Sequence, residues 1–428
     1  MVQSPLLTPE LASKLASEQH VESLAFIPSL DLADELIHTY GSPLYVYDGD
    51  RLTHTIHTIT NAIAYPHTQF RFASVTNGNV ALLRLFREAG WGLHANTPGD
   101  IFLGLTAGFS PEHIVYSGSN LNRVEMAQVL QWGVSTLNLD SLSQLRLCCE
   151  VYQEVSSGKN DPKSAPWDLK ESGNFNALKL GLRLNEPSLT GESRIGVQPR
   201  EFPEAIAIIQ SYQNQQHPIT LSGLHFYRGT GTNATQSFTD VIDRILAIGQ
   251  QLPDWRYLDF GGGFGYPYRH GGTTFNWLEL GQALTEKLAH FTHQGRSLEL
   301  VIEPGRAAIA GCAVLLTTVV STKWQGKKQI VGVDTTVGNL SVPSVHGGYR
   351  HIVALKSRQS GTSLEAHDPR HPTDVCGNTT YSRDYLGRNC SLPVLEEGDR
   401  LAILDVGEYG YAMSSHFLHR PRPAEVLL

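Results

Sequence analysis

The stretch Leu258-Asp259-Phe260-Gly261-Gly262-Gly263-Phe264-Gly265 closes one short apolar run, and Glu303-Pro304-Gly305-Arg306 closes the next. Three successive glycines let backbone N–H groups turn toward one point and form an anion nest. An arginine at the neighbouring strand end adds paired donors of the geometry that suits phosphate. Either motif alone reads equally well as a tight turn or a surface charge. Together, at two successive strand ends, they read as a phosphate site. In a (β/α)8 barrel such a site lies after strands seven and eight.

The rest of the chain agrees with that placement. Short apolar runs recur at Phe70–Ser74, Gly92–Ala95, Ile114–Ser117, Thr136–Leu139, Leu178–Leu184, Leu221–Tyr227, Tyr257–Phe260 and Leu298–Glu303. Between them, apolar residues fall at three- and four-residue spacing near Asn79–Ala89, Pro98–Ala107, Arg123–Trp132, Leu142–Val155, Glu201–Tyr212, Gln236–Gln251 and Asn276–Thr292, with an earlier run near Arg51–Ala64. Strands alternating with helices predict a parallel sheet with crossover helices, here an α/β fold of the (β/α)8 type. A doubly wound sheet is the alternative.

After Gly305 the texture changes to short β-like runs, Ala313–Val320, Gln329–Val333 and Leu401–Asp405, separated by turn residues. The predicted organisation is therefore threefold. Residues 1–40 form an N-terminal helical segment packing on the rest, with helices near Pro9–Ser17 and Leu30–Tyr40. Residues 41–307 form the barrel, and residues 308–428 form a C-terminal β-rich domain. Ser156–Asn176 is expected to be a polar surface insertion and Ser360–Asp374 a long loop.

Composition narrows the function classes. Of 428 residues, 41 are Asp or Glu and 33 Lys or Arg, a net charge of −8 with no basic patch, which argues against nucleic acid as a partner. No apolar stretch approaches the roughly 20 residues of a membrane helix. The opening MVQSPLLTPELASK lacks a basic segment followed by an apolar one, so a cytoplasmic location is expected. Cys148, Cys149, Cys312, Cys376 and Cys390 follow neither a disulfide nor a zinc pattern, and no metal site is expected.

A third segment, Gly223-Leu224-His225-Phe226-Tyr227-Arg228-Gly229-Thr230-Gly231, follows the sixth strand. Its ring could stack on a planar ligand and its Thr230 hydroxyl could bond a phosphate oxygen. The plainer reading is a buried aromatic at a strand end, with His225 a core histidine.

The order of these motifs resembles the fold-type III pyridoxal 5′-phosphate (PLP) decarboxylases, the diaminopimelate, ornithine and arginine decarboxylase group. The resemblance begins at Gly41-Ser42-Pro43-Leu44-Tyr45-Val46-Tyr47-Asp48. It continues through Ala107-Gly108-Phe109-Ser110-Pro111-Glu112, Gly181-Leu182-Arg183-Leu184-Asn185 and the two phosphate motifs. It ends in Asp405-Val406-Gly407-Glu408-Tyr409-Gly410-Tyr411-Ala412-Met413-Ser414-Ser415 and Arg420-Pro421-Arg422-Pro423-Ala424-Glu425-Val426-Leu427. It implies a barrel of the alanine racemase type, a following β-domain, and a homodimer with active sites at the subunit interface. It also implies a cofactor-anchoring set. Gly261, Gly262, Gly263, Arg306 and Thr230 would hold the phosphate, and Glu303 the pyridine nitrogen. Tyr409 and Arg183 would lie near the cofactor.

The reacting half departs from the family pattern. The family carries its cofactor-linking lysine at the end of the first barrel strand. Here that segment is Phe72-Ala73-Ser74-Val75-Thr76-Asn77-Gly78-Asn79, with Val75 at the lysine position and no lysine between Lys14 and Lys159. Lys179, on a barrel strand, stands four residues before Arg183, toward the wrong end. His94 stands where the family has an acid, and Tyr227 replaces the histidine that stacks on the pyridine ring. Thr380-Tyr381-Ser382 replaces a Cys-Glu-Ser motif supplied by the neighbouring subunit, and Cys376 lies four positions away from the motif cysteine. Val342 falls where a substrate-binding arginine is expected, while Asp384 is retained.

Valine can neither hold an aldehyde nor exchange with an amine, so any bound PLP is expected to be non-covalent. Three readings follow. The first is a non-catalytic, regulatory binding protein, a pseudoenzyme of the family. The second is an enzyme with altered chemistry on an amino-acid-derived or phosphorylated ligand, with His94, Tyr227, Arg228, Tyr381 and Asp384 as the candidate reactive set. The third is a PLP-dependent amino-acid decarboxylase of the diaminopimelate type.

Overall fold

The computed structural model describes residues 25–157, 177–212, 218–229, 231–269, 271–293, 297–356 and 369–428. The expected helix near Pro9–Ser17, nearly all of the insertion 156–176, and Thr230 lie outside the described residues. Sixteen strands run through the described residues. They are β1 (Leu44–Tyr47), β2 (Thr68–Ala73), β3 (Gly92–Ala95), β4 (Ile114–Tyr116), β5 (Thr136–Leu139), β6 (Leu178–Arg183), β7 (Ile219–His225) and β8 (Tyr257–Asp259). There follow β9 (Glu299–Ile302), β10 (Ala313–Gln325), β11 (Lys328–Val333), β12 (Ile352–Leu355), β13 (His371–Cys376), β14 (Tyr385–Leu392), β15 (Arg400–Leu404) and β16 (Ala424–Leu427).

β2 to β9 close into a parallel eight-stranded barrel. The closing register pairs Thr68 with Leu300 and Phe70 with Ile302. Period-two alternation sorts each strand into an outer and an inner set. In β2, Phe72 points outward and stacks on Phe86 of the helix Val80–Glu88, with ring centroids 3.8 Å apart. Arg71, the residue before it, is buried inside. Halfway up the barrel, Gly181 and Gly223 leave room for Tyr257, whose ring any β-carbon at Gly223 would strike. The Tyr257 hydroxyl donates to Asn138 Oδ1 at 2.9 Å, so a polar group in the barrel core is satisfied.

The crossover helices begin and end where local chemistry dictates. Pro98–Ala107 shows this most fully. Thr97 accepts from Asp100 N, Asp100 accepts from Thr97 N, and Pro98 occupies the first turn, where no N–H is needed. Gly108, at φ 91°, ends the helix. The single helix expected near Gln236–Gln251 divides into Gln236–Thr239 and Ile242–Gly249.

The second sheet runs β12-β15-β10-β11-β13-β14, with β1 added against β10 and β16 against β1. β1 therefore belongs to this sheet, antiparallel to Leu316–Ala313 and parallel to Ala424–Leu427, and not to the barrel segment 41–307 in which sequence order put it. A four-residue, fully buried strand carries no alternation that would tell one sheet from another. The helix Leu30–Tyr40 covers this sheet. Its Ala33 and Leu36 pack against Leu44, Val46, Val314, Leu316, Ala402 and Leu404. The expected loop 360–374 is corrected at its end, where His371–Asp374 belongs to β13. Pro372 argues against a strand in sequence, but β13 still pairs with both β11 and β14.

Candidate active site at the barrel mouth

The C-terminal ends of the barrel strands meet the β-domain, and hydrogen bonds fix the junction. Tyr409 N donates to Thr76 O at 2.9 Å. Asn77 Nδ2 donates to Gly407 O at 3.0 Å and to the Tyr47 hydroxyl at 3.1 Å. The loop carrying Val75 is thereby docked on the loop carrying Tyr409, which adopts φ 51°.

The glycine cradle is tight. Gly261 and Gly263 take φ 66° and 93°, values that L side chains rarely adopt. A β-carbon on Gly261 would collide with the Phe226 carbonyl, one on Gly263 with the Gly229 carbonyl, and one on Gly262 would come within 2.5 Å of Glu303 O. A β-carbon on Gly305 would come within 2.7 Å of the Thr76 side chain and 3.0 Å of Ala73. This packing brings Arg306 beside the loop after β7, where a β-carbon on Gly231 would meet its Nε at 3.2 Å. The Arg306 guanidinium lies 5.3 Å from the Tyr409 ring centroid.

Deeper in the mouth lies a buried titratable cluster. Glu303 Oε1 is 3.7 Å from His94 Nε2, and Glu303 Oε2 is 3.5 Å from His225 Nε2. Glu303 Oε1 and all four ring nitrogens of His94 and His225 are buried without a hydrogen-bond partner. Burial, reinforced for His94 by His225, Arg183 and Arg71, pushes His94 well below its ordinary value. Burial also pushes His225 down to about 4. Both rings are therefore neutral at pH 7. Burial pushes Glu303 up to about 7, opposed by the hydrogen bond from Asp259 and by the charges of Arg183 and Arg71. Asp259 is likewise pushed well above its ordinary value, by burial first and then by the neighbouring charge of Glu303. Its oxygens also accept from Gly261 N at 3.0 Å and Asn138 Nδ2 at 2.8 Å. His225, Asp259 and Glu303 bring ligand atoms within 4.8 Å of one another, a spacing that could hold a metal ion. Asp259 is already engaged by those two donors.

The sign of the pH effect follows from these shifts. A carboxyl raised in the folded state holds a proton that the unfolded chain gives up at a lower pH. The Glu303 contribution to stability is complete below its ordinary 4.5 and is lost as pH climbs through about 7. His225 acts the other way. Its contribution is present above 6.5 and is lost as pH falls through about 4. Glu303→Gln is expected to flatten the fall in unfolding free energy between about pH 5 and 7, read from urea melts across that range. An unchanged slope would contradict the assignment.

The structure divides the sequence-derived candidates. His94, Arg183, Tyr227, Glu303, Arg306, Tyr409 and the three glycines gather at the mouth, with the Arg183 guanidinium 5.2 Å from the Tyr227 ring centroid. Arg228 is half-buried and donates to Leu189 O. Asp384 is engaged elsewhere. Its buried carboxylate accepts from Val337 N at 2.7 Å and Thr379 N at 3.0 Å, and from the Thr336 and Thr379 hydroxyls. Tyr381 is exposed, with its ring against Phe417. Within one chain these two residues bind β-domain partners, not the His94–Glu303 cluster. Val75 is 41% exposed, in a short 3-10 turn. Lys179, the one lysine on a described barrel strand, is exposed near the opposite end of β6.

Sequence reading missed a second charged cluster. Glu408, fully buried, accepts from Arg306, Arg350 and the Tyr268 hydroxyl. Arg306 also donates to the Tyr268 hydroxyl at 2.7 Å. Its members come from four distant segments, so no local spacing announces it. Arg71 and Asp259 were legible in principle, as inward-facing polar residues in apolar strands.

A closed parallel barrel thus carries a Gly-rich turn, Arg306 and the buried acid Glu303 at its mouth, with a β-domain beside them. Known proteins agree. Residues 50–310 match the family model described as "Pyridoxal-dependent decarboxylase, pyridoxal binding domain". The chain is 32% identical over 413 residues to diaminopimelate decarboxylase of Methanothermobacter thermautotrophicus, covering 94% of this chain and 89% of that protein. It is 31% identical over 409 residues to the Escherichia coli K12 diaminopimelate decarboxylase, covering 91% and 89%. The crystal structure of Helicobacter pylori diaminopimelate decarboxylase complexed with L-lysine superposes with a TM-score of 0.77 at 25% identity, covering 92% and 93%. The chain belongs to the family of pyridoxal-dependent decarboxylases.

Proposed function

We propose that this protein is a PLP-dependent amino-acid decarboxylase-type protein of the diaminopimelate class that holds its cofactor without a lysine link. The observation that carries this reading is the intact anchoring half of the site, within a chain 32% identical to a diaminopimelate decarboxylase across both domains. The cradle and the unpartnered Glu303 Oε1 fit the two ends of PLP. Gly261, Gly262, Gly263 and Arg306, with Thr230 and Tyr409, would hold the phosphate. Glu303 would hold the ring nitrogen, Tyr227 would cover a ring face, and Arg183 would lie near the cofactor. PLP, when bound, supplies an electron sink for a carbanion at the amino-acid α-carbon.

The chain's own residues set the limits of that chemistry. Arg71 and Arg183 keep positive charge facing Glu303, which supports its ionised form. Neutral His94 puts an uncharged ring where the family has an acid. Val75 offers no amine to exchange with substrate, and a threonine hydroxyl at 380 is a poor proton donor near pH 7. Turnover is accordingly slow. A regulatory protein without catalysis is the second reading, favoured by the simultaneous loss of lysine, of Cys-Glu and of the arginine at Val342. In either reading a homodimer in the cytoplasm is proposed. The exposed Tyr381, Phe417 and Leu418 would lie toward the second copy.

The deciding experiment is CO2 release from diaminopimelate, lysine, ornithine and arginine with saturating PLP. Slow release from one substrate, lost in Arg306→Ala, is the expected result. No release from any of them leaves the regulatory reading in its place.

A further inference from the structure

A second cavity, lined by β-domain residues and by Arg269 of the loop after β8, has a volume of about 420 Å³. Four arginines line it, Arg269, Arg350, Arg383 and Arg388, together with Tyr349 and Tyr385, and among the described residues no Asp or Glu does so. The Arg269 guanidinium carbon lies over the Tyr349 ring, 4.0 Å from its centroid, and that of Arg388 lies 3.5 Å from the Tyr385 centroid. A guanidinium stacked on a ring keeps its N–H edge free and pre-aligned for a bidentate anion. Arg269, Arg383 and Arg388 make no ion pair with any described carboxylate. Arg350 is different. Its side chain is 1% exposed, one terminal nitrogen bonds Glu408, and its buried Nε has no partner.

We infer that this cavity is a binding site for a small molecule carrying at least two linked phosphate groups. The volume falls in the roughly 300–1,000 Å³ range of ligand pockets. A single tetrahedral anion would engage one or two guanidiniums and leave the others facing like charge. A diphosphate spans the cavity and offers several oxygens to the exposed arginines that line it. Glu408 ties Arg350 to Arg306, so occupancy here would be felt at the barrel mouth through a shared carboxylate. The inference does not rest on the proposed function.

The test is calorimetric titration of the full chain with pyrophosphate, with orthophosphate and sodium chloride at matched ionic strength as comparisons. Saturable pyrophosphate binding, at least tenfold tighter than orthophosphate, is expected. Arg383→Gln and Arg388→Gln, both exposed, should together weaken it at least tenfold, while the PLP absorbance titration stays unchanged. Three results would overturn the inference. They are no saturable binding, equal affinity for orthophosphate, and loss of pyrophosphate binding in Arg306→Ala but not in the double variant. The last would put the anion in the barrel cradle.

Discussion

Val75→Lys is expected to turn reversible PLP binding into a covalent, borohydride-trappable link and to raise amino-acid turnover by about 10²-fold or more. The position is prepared for it. Val75 is 41% exposed, so a longer side chain has room. Its neighbours are held on both sides. Ser74 Oγ donates to His94 O at 2.9 Å, Thr76 Oγ1 donates to Ala73 O at 2.8 Å, and Tyr409 N reaches Thr76 O. A lysine there would extend from a fixed turn beside Gly305 and Arg306. The adduct is read by intact mass after reduction, and the turnover by CO2 release. A Val75→Lys protein that folds, binds PLP and forms no adduct would show that this turn is not aimed at the cofactor site.

Glu408→Gln is expected to destabilise the protein by about 3–5 kcal/mol, the range for breaking a buried ion pair from one side. Glu408 is fully buried between Arg306 and Arg350, and Tyr268 adds a third donor. Glutamine keeps the shape but leaves Arg350, 1% exposed, without its counter-charge. Adding Arg350→Met should recover a large part of the loss, because the uncompensated buried charge then disappears as well. Urea unfolding of the three proteins measures this. A loss under about 1 kcal/mol for Glu408→Gln would mean that water reaches the cluster.

Most of the barrel was legible in sequence because its physics is local. Gly92–Ala95, Thr136–Leu139 and Pro98–Ala107 fall where apolar spacing and caps put them. The other barrel strands shift by two residues or fewer at either end. The β-domain was less legible. β1 is too short to alternate, β13 contains a proline, β14 mixes buried and exposed positions without a clean period, and β12 and β16 are four-residue strands with no period-two burial pattern.

The cradle was legible because glycines and an arginine at strand ends have one shared chemistry. The Glu408 cluster was not, because four segments far apart in sequence meet only after the barrel closes. Asp384 shows the opposite failure. A retained acid invited a catalytic role, yet its oxygens are engaged by donors around Thr336, Val337 and Thr379. Val75 was legible from residue identity alone, and the fold sets it in the short turn after β2, while Lys179 is the one lysine on a described barrel strand.

The most direct measurement is a PLP titration of the purified protein followed by absorbance, then borohydride reduction and intact mass. The expected result is a saturable, reversible spectral change, weakened in Arg306→Ala, with the mass of the reduced protein unchanged. A PLP adduct on any lysine, or the absence of saturable binding, would contradict a cofactor site that works without a covalent link.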